Sequence, residues 1–254
     1  MRGDSHFRWR RLARSGLALF VVLSCSLSAL AQDTSVKGKV EATNLVTTKQ
    51  SSAASRALPA AEAVVWLAPL DSDSAASFSN SPGPVQLVQR NKSFEPHLLA
   101  VRVGSVVQFP NRDPFFHNVF SLFDGKRFDL GLYEAGSSNS VRFDRAGVSY
   151  LFCNIHPEMS AIVIAVPTPY FAVTDASGQW TIPNVPDGRY RLHVWYERSS
   201  LEDLEKLQRD VVISETARSV EPIQVVATAA PNSAHKNKYG KDYVPPSSSA
   251  YSNP

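Results

Sequence analysis

The chain has 254 residues, 43% of them hydrophobic and 19% charged, with 26 Lys+Arg against 23 Asp+Glu and a formal net charge of +3. That length allows one large or two ordinary domains, and the apolar content is enough to build a core, so wholesale disorder is excluded. Sulfur is scarce, with only two Cys and two Met.

In chain order, the first 31 residues stand apart. Arg2, Arg8, Arg10, Arg11 and Arg14 make a positive region, Gly16 to Leu27 is apolar, and Ala29-Leu30-Ala31 has a small-residue cleavage pattern. The apolar run is too short to span a bilayer, so residues 1–31 read as a secretory signal peptide cleaved after Ala31, with an uncleaved amphipathic helix as the alternative. Arg10-Arg11 lacks the apolar residues that follow in a twin-arginine signal, and Val22-Leu23-Ser24-Cys25 is a poor lipoprotein box. Without that segment's five Arg and one Asp, the +3 becomes −1. The basic character then belongs to the export signal, and no nucleic-acid or anionic-membrane partner is implied. A periplasmic or secreted protein is expected, with no transmembrane segment in the mature chain. It keeps one Cys, Cys153, and one Met, Met159. An unpaired thiol in an oxidising compartment is open to oxidation unless something holds it.

Strand signals dominate the rest. Val36 to Val40 alternates, Ala63 to Leu67 is a continuous apolar run, and the Ser/Ala-rich stretches 47–57 and 71–84 read as connectors. Further strands are expected at 85–88, 98–103, 106–109, 141–143, 150–153 and 162–166, with His117 in a Pro/Phe-rich turn. A third group runs from Tyr170 through Trp180–Ile182 and the alternating Tyr190, Leu192 and Val194 to 211–213 and 223–226. Ser200 could cap a short helix. Residues 228–254, rich in Pro, Ser, Asn and Lys with isolated Tyr, read as a disordered tail. Many short strands with Gly, Pro and Asn between them predict an all-β sandwich class.

Residues 153–159 read C-N-I-H-P-E-M. Thiolate, imidazole and thioether are the donors that copper selects, and two His with one Cys and a weak axial Met describe a blue-copper electron-transfer site. This loop supplies Cys153, His156 and Met159; the second His must come from elsewhere, and His117 in P-F-F-H-N-V-F is the candidate. Three other readings compete. An inert buried Cys is common, a catalytic Cys-His pair needs an exposed thiolate and has no use for the Met, and a structural zinc site more often carries several Cys.

Residues from about Phe94 to Val166 resemble a cupredoxin, the plastocyanin and amicyanin family. The matching runs are F-E-P-H-L-L-A-V-R-V-G-S-V-V-Q-F-P-N, D-P-F-F-H-N-V-F and A-G-V-S-Y-L-F-C-N-I-H-P-E-M, and the Cys-x2-His-x2-Met spacing is similar to the short amicyanin loop. The resemblance implies a Greek-key β-sandwich and one type 1 copper ion, with His117, Cys153 and His156 as equatorial ligands and Met159 as the axial one. It also implies that Asn118 ties the two ligand loops together. His97 departs from the family pattern and is expected as a partly exposed strand residue, with a metal-binding or redox-tuning role as the alternative. His193 reads as a solvated neighbour of Arg191, and His235 lies in the tail.

The flanks resemble a carboxypeptidase regulatory-like, transthyretin-like β-sandwich, in two pieces: V-K-G-K-V with A-V-V-W-L, and T-D-A-S-G-Q-W-T-I-P-N-V-P-D-G-R-Y-R-L-H-V-W. Neither piece has enough strands to bury a sheet face. The expectation is a cupredoxin domain, 85–167, inserted into a smaller sandwich made of 32–84 and 168–227. Functionally this implies an exported carrier of single electrons between a protein redox donor and acceptor, not an enzyme. His156 would be the electron port, rimmed by Pro114, Phe115, Phe116, Ile155 and Pro157, and the second sandwich would serve a cell-envelope partner. One Cys and no His-rich pairs exclude a multicopper oxidase. The alternative is a copper-binding or trafficking module, or an envelope interaction protein with a structural copper site.

Overall fold

In the computed structural model, the residues described are 34–44, 62–71, 84–122, 125–228 and 235–243. The expected signal peptide, the connector 47–57 and most of the connector 71–84 lie outside them.

Alternation and apolar runs decide the strands. In β1 (Val36–Asn44), Val36, Val40 and Ala42 point inward while Lys37 and Lys39 are exposed. β2 (Ala63–Pro69) is apolar throughout, and four of its first five residues are buried, as expected of a strand covered on both faces. The strands β3 (Val85–Gln86), β4 (Val88–Arg90), β5 (Ser93–Glu95), β6 (Leu98–Arg102), β7 (Val106–Pro110) and β8 (His117–Ser121) follow. After them come β9 (Phe128–Tyr133), β10 (Ser138–Arg142), β11 (Gly147–Phe152) and β12 (Ser160–Val166). The chain continues with β13 (Phe171–Val173), β14 (Gln179–Ile182), β15 (Gly188–Tyr196), the helix α1 (Leu201–Lys206), β16 (Arg209–Ile213) and β17 (Ile223–Ala227). Ser200 caps α1, its side chain accepting the Asp203 N–H. The architecture is all-β.

Pairing divides the strands into two sets. β1 lies between β14, antiparallel, and β17, parallel, while β2 lies between β13 and β15 in the order β13-β2-β15-β16. The first two strands therefore find their partners more than a hundred residues later. Between them in sequence, β3 to β12 pair among themselves as β10-β7-β3, β6-β12-β11-β8-β9 and the hairpin β4-β5. Gly38 faces Trp180 across β1 and β14; a Cβ there would lie 2.4 Å from the indole ring, so only glycine allows this approach.

β12 is the wall common to both sets. Ala161, Val163 and Ala165 join the core of the inner set with Phe94, Phe109, Phe143 and Leu151. Ile162, Ile164 and Val166 face the other way, into the core formed by β1, β2 and β15. Each large apolar side chain so buried contributes about 1.5–3 kcal/mol. His97 sits at the same junction, just before β6. Its Nδ1 faces the Ser160 carbonyl at 3.2 Å and its Nε2 meets Glu197, beyond the end of β15, at 3.3 Å.

Several expectations need correction. His117 opens the strand β8, and all five residues of β8 are buried, which hides any period-2 signal. The strand β9 had no counterpart in the sequence reading. His193 is half-buried and stacks flat on its cross-strand partner Trp66, with ring centroids 4.9 Å apart, because the two rings share one face of the sheet. The tail is not wholly loose: residues 235–243 lie against the inner set, and its remaining stretches fall outside the described residues apart from Thr228. Composition averaged over a polar tail hides a few side chains that each have a specific partner.

Candidate metal centre

Two segments bring three donors together. The 153–159 loop joins β11 to β12 and holds itself by its backbone: the Cys153 N–H donates to the Met159 carbonyl at 3.3 Å, and the Met159 N–H to the His156 carbonyl at 3.1 Å. Cys153 and Met159 are fully buried, and His156 is 7% exposed. From the other side comes His117, also fully buried. His117 Nδ1 and His156 Nδ1 are 3.1 Å apart, and Cys153 Sγ lies 3.5 Å from His156 Nδ1 and 3.9 Å from His117 Nδ1. Among the described residues, His117, Cys153 and His156 form the cluster able to hold a metal ion.

His117 is held by a side chain that the sequence reading overlooked. Asp113 Oδ2 accepts the His117 Nε2–H at 2.7 Å. The same carboxylate accepts the Asn91 N–H at 2.6 Å and the Lys92 N–H at 2.9 Å. Those two amides point together because Asn91 and Lys92, between β4 and β5, both take the left-handed conformation, with φ of 54° and 53°. Asn111 shapes the approach, its Oδ1 accepting the Asp113 N–H and its Nδ2 donating to the Phe115 carbonyl. With the Nε2 proton committed to a carboxylate, the Nδ1 lone pair of His117 faces the other donors. A carboxyl four residues before a histidine, D-P-F-F-H, was the available signal.

The electrostatics agree. Burial opposes ionisation of Asp113, but the Lys92 amide, the His117 ring and the Asn91 amide together hold its carboxyl below the usual range. Burial, and then the neighbouring His117, push the His156 pKa down, which keeps its ring neutral. Burial pushes the Cys153 thiol up despite the amides of Asn118, Ile155 and His156 that face it. A thiol in this position ionises when a cation takes the place of its proton.

Asn118 joins the two segments. Its Oδ1 accepts the Asn154 N–H at 3.3 Å, and its Nδ2 donates to Asp129 Oδ1 and the Gly131 carbonyl. Around the donors, Phe115 presents its ring to both His117 and His156. Outside it, Pro114 and Pro157 are exposed, Phe116 is 54% exposed and Ile155 41%, so the apolar rim exists with the His156 ring just beneath it. His97 belongs to the junction described above, and the cluster does not include it.

A point equidistant from the three donor atoms lies about 2 Å from each, the length of a metal–imidazole bond and slightly short of a metal–thiolate bond. Two imidazoles and one thiolate in a dry, trigonal arrangement suit copper by softness and by geometry.

Part of the chain is similar to solved cupredoxins. The purple cupredoxin of Nitrosopumilus maritimus is 23% identical, with 32% of this chain and 99% of that one covered and a TM-score of 0.30. A reduced amicyanin variant is 21% identical, with 41% and 99% covered and a TM-score of 0.32. The copper-containing nitrite reductase of Thermus scotoductus SA-01 is 24% identical, with 36% and 24% covered and a TM-score of 0.33. Residues 168–219 match a family described as polysaccharide lyase family 4, domain II, a different description from the one the flanking motifs suggest. No curated protein matches the chain. No helix among the described residues is long and apolar enough to cross a membrane.

Proposed function

We propose that this is an exported mononuclear type 1 copper protein that carries single electrons between protein redox partners. The observation that carries this reading is the buried donor triangle of His117, Cys153 and His156, with its size near that of a copper coordination sphere. Met159, buried at the end of the same loop, is the proposed weak fourth ligand. Copper held there would supply a Cu(II)/Cu(I) couple. The residues around it keep the ligands fixed: Asp113 sets the His117 ring, Asn118 links it to the Cys153 loop, and Phe115 keeps water from both imidazoles. A ligand set that does not move between oxidation states requires little rearrangement, and that favours a carrier over an enzyme with a substrate pocket.

The exposed rim of Pro114, Phe116, Ile155 and Pro157 is the proposed docking face for donor and acceptor. Small apolar contacts of that kind allow fast release. In this reading residues 85–167 are a cupredoxin domain inserted into a flanking sandwich that serves the cell envelope, and residues 1–31 direct export.

Visible and EPR spectra of the purified protein with added Cu(II) test the proposal. An intense thiolate-to-copper band that disappears in Cys153→Ala is the expected result, with Met159→Leu retaining copper at an altered potential. A colourless protein with an ordinary Cu(II) signal overturns the electron-transfer reading.

A further inference from the structure

Residues 235–243 form no strand, yet they are fastened to the metal loop. Within the segment, Asn237 makes a closed turn: its Oδ1 accepts the Tyr239 and Lys241 N–H groups, and its own N–H donates to the Lys241 carbonyl. From that turn Lys238 reaches out twice, its N–H donating to Asn154 Oδ1 at 3.0 Å and its Nζ meeting Asp129 Oδ2 at 2.7 Å. The His235 ring lies on Phe152, with centroids 4.0 Å apart and planes 26° apart, and Tyr243 meets it edge-on.

The contact closest to the metal site is the Tyr243 hydroxyl. It donates to the Cys153 carbonyl at 2.6 Å and lies 3.2 Å from His235 Nδ1. The Cys153 carbonyl and the Asn154 N–H belong to one peptide unit. Tyr243 holds its oxygen, Asn118 holds its N–H, and Lys238 holds the next side chain. Asp129 closes the circuit by bonding both Lys238 and Asn118. Fixing that peptide plane fixes the backbone dihedral that aims the Cys153 side chain. Burial keeps the Tyr243 phenol protonated well beyond its ordinary range, so the donor is present across ordinary pH.

We infer that residues 235–243 are an intramolecular strap, and that Tyr243 is a positioning residue that pins the Cys153–Asn154 peptide and holds the sulfur in the donor triangle. The strap deepens the copper reading and rests on it for its consequence, but its first test needs no metal. In the metal-free full chain, the rate of Cys153 alkylation by iodoacetamide is followed by peptide mass mapping, which separates Cys153 from Cys25. A chain ending at Thr228 alkylates roughly tenfold faster and Tyr243→Phe about fivefold faster, since one hydrogen bond contributes close to that factor. Leu201→Ala, at a 71% exposed side chain in α1, leaves the rate unchanged. In the copper-loaded protein, the same two strap variants release copper faster to a chelator, and Tyr243→Phe moves the thiolate band while Leu201→Ala does not.

Equal alkylation rates in the full chain, the shortened chain and Tyr243→Phe overturn the strap. If the shortened chain fails to fold, Tyr243→Phe alone decides. Faster alkylation in a protein that shows no thiolate-to-copper band keeps the strap and removes the electron-transfer function.

Discussion

The flanking strands, β1, β2 and β13 to β17, and the segment between them in sequence are both well packed, but they bury different things. In the flank, Val36, Leu67, Trp180, Tyr190, Leu192 and Ile223 make an apolar core, and Thr168 and Thr174 are its buried polar side chains among the described residues. In the segment, burial also closes over Gln89, Asn111, Asp113, His117, Asn118 and His156. A buried polar group needs a partner, and the hydrogen bonds of Asn111, Asp113 and Asn118 lead to the donor triangle. Both regions thus have an apolar core but only one carries the donors, so perturbing the core of the other should leave the donor chemistry largely intact.

The largest expected effect lies in the flank. Leu192→Ala should lower unfolding free energy by about 2–5 kcal/mol in a urea titration, since a fully buried leucine leaves a cavity. The copper spectrum of the protein that remains folded should be unchanged; a shifted thiolate band would break the division. The converse is Asp113→Ala. It frees the His117 ring and should weaken copper binding by about 10–100-fold in a chelator competition, with a smaller loss of stability than Leu192→Ala. Unchanged affinity would mean that the carboxylate is structural only. Smaller again is Ser200→Ala, which removes the cap of α1 and should cost about 1 kcal/mol with no effect on copper.

The same division explains what could be read from the sequence. The 153–159 loop is legible because three donor types lie within seven residues, and its hold on itself is local backbone bonding. The apolar run Ile162–Val166 is legible as a strand, and the structure buries it on both faces. Asp113 was only partly legible: D-P-F-F-H places a carboxyl near the histidine, but its role also depends on two amides turned toward it by a hairpin tip some twenty residues earlier, and a hairpin tip of Asn and Lys carries no chemical label. Tyr243 was less legible still, because its partner is a backbone carbonyl ninety residues away. The strand β8 was hidden for a related reason. Its residues are buried on both faces, and three of the five are polar, so neither alternation nor a continuous apolar run marks it.

The junction between the two regions supplies the finest test, because it is where their independence could fail. His97 Nδ1 faces the carbonyl of Ser160, next to Met159, while its Nε2 faces Glu197 of the flank. Both nitrogens face acceptors, so the protonated ring suits the site. The Glu197 hydrogen bond raises the His97 pKa, burial opposes that rise, and Glu62 adds to it. The folded-state pKa therefore lies above the unfolded value of about 6.5. The pair's contribution to stability is complete below that unfolded value and fades as pH rises through the folded one. Both partners are partly exposed, so the contribution is under about 1 kcal/mol. Thermal melts of the protein and of Glu197→Gln should differ most at pH 5.5 and converge as the pH rises, while the thiolate band stays the same in both. A melt difference that grows with pH would reverse the assigned sign. A band that changes in Glu197→Gln would show that the flank reaches the metal loop through His97, and the two regions would then be coupled.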